Sequence, residues 1–169
     1  MPLILEDGTG TAGGNAYADE TILGVYCDDR AITLADGDAE AALIRGRIYI
    51  DAVYRMRFVG YKTHGRSQGC EFPRTGVLDS QYFPIANNEI PQELIDANCE
   101  AAIRELAAPF SMLPDLERGG QIRRLQAGSV AIDYGANATA ITTYRVIDGI
   151  LGNLLGALGQ GFTAQTIRG

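Results

Sequence analysis

Apolar side chains recur at helical spacing in four stretches of the chain and alternate with polar ones in a fifth. "YADETILGVYCDDR" places Ile22, Val25 and Tyr26 on one face behind Asp19, a candidate N-cap, and predicts a short helix. "DGDAEAALIRGRIYIDAVYRMR" carries the strongest pattern: Asp36 or Asp38 can cap its start, and Ala39, Ala42, Leu43, Gly46, Ile50, Val53 and Tyr54 form one stripe. Ile44 and Ile48 fall on the opposite face and suggest a second neighbour, another subunit; single exposed apolar residues are also ordinary. In "PQELIDANCEAAIRELAA", Pro91 suits the first turn. Ile95, Cys99, Ala102, Ile103 and Leu106 share a face opposite Glu93, Glu100 and Arg104, so Cys99 reads as a core thiol. The last stretch, "TTYRVIDGILGNLLGALG", has Tyr144, Ile147, Leu151, Leu154, Leu155 and Leu158 in one stripe and Gly149, Gly152 and Gly156 in another. Each interior glycine costs up to about 1 kcal/mol relative to alanine, so three on one face suggest the close approach of another backbone.

The strand period appears once. Val130, Ile132 and Tyr134 alternate with Ser129, Ala131 and Asp133, and Ala127-Gly128 is a plausible turn, which predicts a hairpin over 121–134. Leu125 is out of phase with Ile122 and predicts a bulge. Four prolines and glycines punctuate residues 71–91, "EFPRTGVLDSQYFPIANNEIP", yet large apolar groups crowd it. Irregular stretches of this length inside a domain usually serve binding. The pattern therefore predicts a mostly α fold, a small helical bundle with a β-hairpin and extended N- and C-terminal arms. Residues 1–16 form the arm, 17–158 the domain and 159–169 a tail.

Composition narrows the function. A 169-residue chain with 46% hydrophobic and 21% charged residues is an ordinary globular domain. A domain of this size buries roughly 68–70% of its unfolded surface and needs no staples. Its 14 Lys+Arg stand against 21 Asp+Glu, a net charge of −7. That balance argues against a general grip on phosphates, which needs clustered cations. Cys27, Cys70 and Cys99 are odd in number and widely spaced. They read as free thiols of a reducing compartment. The N-terminus lacks the basic region of a signal peptide, and no apolar run approaches the ~20 residues of a membrane span.

The motifs offer no catalytic constellation. His64 is the single histidine and lies in a glycine-rich loop, "GYKTHGRSQGC", whose Lys62 and Arg66 are candidates for contact with DNA or an acidic partner. A solvated loop is the plain alternative. "EDGTGTAGG" lacks the GK[ST] of a phosphate loop. Asp36, Asp38 and Glu40 lack the ligand spacing and closing glutamate of a calcium loop. No cofactor or metal is expected, and no enzymatic activity.

Six stretches in series resemble one family: "EDGTG…NAYAD", "EAALIRGRIYIDAVYRMRFVG", "FPRTGVLD", "IPQELIDANCEAAIREL", the "LERGG…SVAIDYG" hairpin and "TYRVIDGILGNLL". Together, over residues 4–158, they resemble the head–tail adaptor (connector) proteins of tailed phages, in the branch often labelled DnaT-like single-stranded-DNA-binding protein. That family usually has Trp-Pro-Arg where this chain has Phe72-Pro73-Arg74, which keeps the aromatic and loses the indole donor. The resemblance implies a non-catalytic virion protein of the neck, assembled in the host cytoplasm. It implies a homo-oligomeric ring, commonly twelvefold, beneath the portal protein. The ring extends the channel through which genomic DNA passes without sequence-specific binding, and presents a surface to the next neck or tail protein. The residues expected at subunit or portal contacts are Ile44, Ile48, Phe72, Pro73, Arg74, Tyr82 and Phe83, with Phe162 and Ile167 of the tail.

The alternative is a replication-type module that binds single-stranded DNA. It needs a basic groove with stacking aromatics, and Arg45, Arg47, Arg55, Arg57, Lys62, Arg66 and Arg74 do cluster within thirty residues.

Overall fold

A computed structural model describes residues 2–113, 124–127, 130–133 and 144–156. The fold is mostly α, with helices α1 (Glu20–Asp28), α2 (Ala39–Tyr54), α3 (Gln92–Ala107) and α4 (Arg145–Leu151). Two antiparallel pairs accompany them, β1 (Tyr61–Lys62) with β2 (Arg74–Thr75), and β3 (Arg124–Ala127) with β4 (Val130–Asp133).

The helix starts follow the capping chemistry. Asp19 accepts a hydrogen bond from the Ile22 amide at 2.8 Å, and Asp38 one from the Ala41 amide at 2.9 Å, each satisfying an orphan donor of a first turn. Helices α2 and α3 pack most extensively. Gly46 permits this, because a Cβ there would lie 2.9 Å from the Ala101 Cβ and 3.1 Å from the Ala102 nitrogen. Asn98 of α3 ties the two helices to the chain before α1. Its Oδ1 accepts from the amides of Tyr17 at 2.8 Å and Ala18 at 3.2 Å, and its Nδ2 donates to the Leu43 carbonyl at 2.9 Å.

Two apolar clusters result. The larger gathers Tyr17, Tyr54, Phe58, Phe72, Leu94, Ile147 and Leu151; the other holds Leu23, Tyr26, Leu43, Cys99 and Leu106. Each fully buried large side chain contributes roughly 1.5–3 kcal/mol. Cys99 is buried, as the phase of α3 predicts, and burial pushes its thiol up to about 12. Cys27 and Cys70 are also free and buried.

Several expectations need correction. Segment 1–16 is irregular, as its composition predicts, but it folds onto the body. The Thr11 carbonyl accepts from the Gly69 amide at 3.1 Å, the Gly14 carbonyl accepts from Arg47 at 3.3 Å and from the Cys70 thiol at 3.2 Å, and Glu6 is buried. On α2, Val53 is exposed while Tyr49 and Asp51 are buried, because the buried stripe also turns toward Tyr17 and Cys70. From Arg124↔Asp133 through Leu125↔Ile132 to Ala127↔Val130 the register runs unbroken, and the rest of the stretch from Ile122 to Leu125, where a bulge is expected, lies outside the described residues.

The last helix is shorter than its pattern. It passes into a 3-10 turn at Gly152–Leu154, and Leu155 becomes extended to bridge Phe58. Pairing of Gly156 N–H with the Arg57 carbonyl at 2.7 Å replaces further helical bonds, in a stretch whose glycines weaken the helix. Of the three glycines expected to meet another backbone, Gly156 does, with the Arg57 carbonyl 3.5 Å from a Cβ built there, whereas nothing among the described residues lies within 4 Å of a Cβ built on Gly149 or Gly152. The tail 159–169, with Phe162 and Ile167, lies outside the described residues, as do Ile122, Tyr134 and Leu158.

Candidate functional site

The surface that matters is organised around the irregular chain between α2 and α3. Its inner part is held by one buried carboxylate. Asp51 of α2 accepts from the Tyr17 hydroxyl at 2.7 Å, pairs with Arg47 Nε at 3.0 Å and accepts from the Glu71 amide at 3.3 Å. The Tyr17 hydroxyl accepts in turn from the amides of Glu71 at 2.9 Å and Phe72 at 3.2 Å. Arg47 also donates to the carbonyls of Gly14 and Gly69 and to the Cys70 sulfur. Burial pushes the Asp51 carboxyl up to about 6 against the pull of Arg47. Burial, with Asp51 beside it, pushes the Tyr17 hydroxyl well above its ordinary value, so it keeps its proton for Asp51.

Most of the clustered cations are engaged by carboxylates. Arg45 Nε lies 2.7 Å from Glu105, Arg47 Nε 3.0 Å from Asp51, Arg57 3.4 Å from Asp148 and Arg74 3.0 Å from Glu71. Arg74 is buried, and its guanidinium also donates to the carbonyls of Val59 at 2.9 Å and Gly60 at 2.6 Å. Lys62 and Arg55 approach the same Glu71 carboxylate at 3.9 and 3.8 Å. Arg66, in a 3-10 turn, is exposed and has no ion pair among the described residues.

Beyond Val77 the chain turns outward. A bridge between Leu78 and Pro84 closes a small loop. Asp79 Oδ1 accepts from the amides of Gln81 and Phe83, both at 2.8 Å, and Tyr82 takes a left-handed φ of +68°. Tyr82 is 82% exposed and Phe83 64%. A second turn follows α3 and repeats the device. Buried Glu105 accepts from the amides of Phe110 at 2.9 Å and Met112 at 3.3 Å, and Phe110 has a φ of +64° and is 73% exposed. Phe110 and Leu113 flank an apolar cleft of about 220 Å³ floored by Tyr49 and Met112 and edged by Ile48. Strained non-glycine backbone persists only where its surroundings over-determine it, and it concentrates at functional sites.

The residues named from sequence thus divide. Phe72 and Pro73 are buried and Arg74 nearly so, facing their own core. Phe72 meets Phe58 edge-on at 5.1 Å between centroids. They present no surface for a neighbour, because the Tyr17–Asp51 junction pulls their backbone inward. Tyr82, Phe83 and Ile48 are exposed, Ile44 is half-buried, Lys62 is half-buried against Glu71, and Arg66 is exposed. Sequence reasoning missed Tyr61, exposed on β1, because residues 60–70 read as plain loop. It also missed Phe110, whose signal was only an aromatic after a proline. Among the described residues no group of three or more His, Cys, Asp or Glu could hold a metal, and no helix is long and apolar enough to cross a membrane.

A family model described as "Putative DnaT-like ssDNA binding protein" matches residues 1–169, so the chain belongs to that family. No curated protein and no solved structure matches it.

Proposed function

We propose that this member of the DnaT-like family is a non-catalytic assembly subunit, a head–tail adaptor that forms a homo-oligomeric ring under a portal protein in the virion neck. One observation carries this reading. The chain spends most of its clustered cations on its own carboxylates and holds two large aromatics, Tyr82 and Phe110, outward on left-handed backbone. Rigid exposed aromatics are what a protein interface uses for anchors, whereas neutralised cations contribute little to phosphate binding. Mixing the chain with the portal protein of its own phage should give a discrete complex of high symmetry by electron microscopy. A portal that stays bare at micromolar adaptor overturns the proposal.

The second reading is binding of single-stranded DNA. The family description names it, and no match names an adaptor. One structural observation supports it, the gathering of Arg55, Lys62 and Arg74 around Glu71. Filter binding to oligonucleotides across a salt series separates the two readings. An adaptor shows no retention above that of an acidic control protein, and a single-strand binder shows strongly salt-dependent retention.

A further inference from the structure

We propose that copies of this chain join head to tail, with the 78–84 tip of one, led by Tyr82, seated in the apolar cleft between Ile48 and Phe110 of the next. The inference rests on the ring reading above and gives the ring its lateral contact.

The two surfaces lie at opposite ends of α3. At its start, Ser80 of the tip meets Asn153 at 2.8 Å, and Asn153 meets Glu93 at 3.4 Å. At its end, Glu105 lines the cleft and holds the turn that carries Phe110. Glu105 follows Glu93 by 12 residues, about 18 Å along the helix. Tyr82 is 82% exposed, so the tip leaves its own cleft open. A knob and a cleft so placed satisfy each other between subunits. Such a heterologous contact closes into a ring or runs on as a filament.

Each surface is preformed, and the two match. Glu105 accepts from the amides of Phe110 and Met112, and the Arg45 guanidinium lies over the Phe110 ring, 4.9 Å from its centroid. These contacts fix the cleft wall. The cleft volume is about 220 Å³; an apolar cavity of about 150 Å³ already binds benzene, so there is room for one aromatic ring. The tip presents such a ring on backbone set by the Leu78–Pro84 bridge and by Asp79.

Charge agrees with shape. Among the described residues Arg45 gives only its Nε to a hydrogen bond, with Glu105, which leaves its terminal nitrogens for another anion. Residues 75–91 carry Asp79 and Glu89 and no cation. Neither carboxylate has an ion pair among the described residues. An aromatic tip flanked by carboxylates therefore meets an apolar cleft edged by a cation.

The test is sedimentation velocity of the full chain from micromolar to millimolar, alone and with the portal protein of its own phage. Wild type is compared with Tyr82→Gly, Ile48→Glu and an equal mixture of the two. Both residues are exposed, so both variants should keep the wild-type melting temperature. The first removes the ring, and the second sets a carboxylate on the cleft edge against those of the tip. Each should weaken self-association about tenfold or more, as loss of an interface anchor does. The mixture should form one-to-one pairs and nothing larger, because Ile48→Glu supplies a tip and Tyr82→Gly a cleft. Wild type that stays monomeric alone is scored by capture on the portal, where the mixture should outperform either variant. If both variants associate like wild type, the contact is wrong and the ring reading stands. If wild type associates neither alone nor on the portal, both fall. If either variant alone pairs as tightly as the mixture, the contact is not head to tail and the proposal is overturned. If Ile48→Glu loses the portal and Tyr82→Gly does not rescue it, the cleft belongs to the portal and the assignment to a second copy is overturned.

Discussion

Residues 70–77 and residues 78–85 adjoin in one irregular stretch, share the same mixture of aromatics, prolines and polar groups, and do opposite things. In the first, Phe72, Pro73 and Val77 are buried, and the amides of Glu71 and Phe72 bond to Tyr17 and Asp51, distant in sequence. In the second, Tyr82 and Phe83 are exposed, and the amides of Gln81 and Phe83 bond to Asp79, two and four residues away. Each half is held by one carboxylate. In the first half the carboxylate belongs to a helix of the core and the stretch turns inward. In the second it belongs to the loop, the shape is set locally and the side chains remain exposed. The buried contacts of this stretch therefore lie in its first half and its exposed aromatics in the second.

The largest expected effect tests this division directly. Phe72→Ala removes a fully buried ring packed on Phe58 and should cost about 3–5 kcal/mol. Phe83→Ala should stay within about 0.5 kcal/mol of wild type, as exposed substitutions do. Urea unfolding of both variants reads the difference, and equal losses would abolish the division.

The next effect sharpens the account of the first half through pH. Burial raises the Asp51 carboxyl from 3.8 to about 6. The folded state therefore holds this proton more tightly than the unfolded chain does. The stability it contributes is fully present below about pH 4 and is lost as pH rises through about 6. Asp51→Asn cannot titrate. The advantage of wild type over this variant should accordingly shrink by about 2–3 kcal/mol between pH 4 and pH 7. A difference that does not change with pH would show that Asp51 is not the buried carboxylate that anchors Glu71 and Phe72.

The sequence made the frame legible and the division illegible, for one physical reason. Helices α1, α2 and α3 announce themselves locally, through the Asp19 and Asp38 caps and through apolar stripes of period 3.6. The β3–β4 hairpin does so through alternation. What separates Phe72 from Phe83 is not local. It depends on Tyr17 and Asp51, and on a two-residue pairing of β1 with β2 across the intervening loop. The pairing of Arg45 with Glu105 is likewise long-range, so a run of cations that reads as a basic patch becomes largely a set of internal ion pairs. The exposed aromatic Phe110 was equally hidden, because left-handed backbone at an aromatic has no sequence signature. Tyr82 and Phe83 are expected at contacts from the aromatics of their stretch and the family resemblance; the structure supplies the reason they are outside.

A smaller effect sharpens the second half. Asp79→Ala removes the acceptor for two amides of an exposed loop. A lost local hydrogen bond of this kind is worth about 1 kcal/mol, and the loss should stay in the loop. Hydrogen exchange at the Gln81 and Phe83 amides should accelerate about fivefold, with an unchanged urea midpoint. A fall in global stability would show that the tip is joined to the core after all.

The smallest effect on stability carries the largest consequence for the proposed role. Tyr82 sits at φ +68° with its ring in solvent. A non-glycine residue in that region costs of order 1 kcal/mol. Glycine removes that strain but adds about 0.5–1 kcal/mol of unfolded-state entropy. The two nearly cancel, so Tyr82→Gly should leave the melting temperature almost unchanged while deleting the ring and keeping the turn. If the strained aromatic exists to fill a pocket on a portal or a neighbouring subunit, capture by the portal protein should fall at least tenfold, about 1.4 kcal/mol. Tyr82→Phe, which keeps the ring and the strain, should bind like wild type. Undiminished capture of Tyr82→Gly would mean that the outward loop is not the contact, and the apolar cleft beside Ile48 and Phe110 would become the place to look.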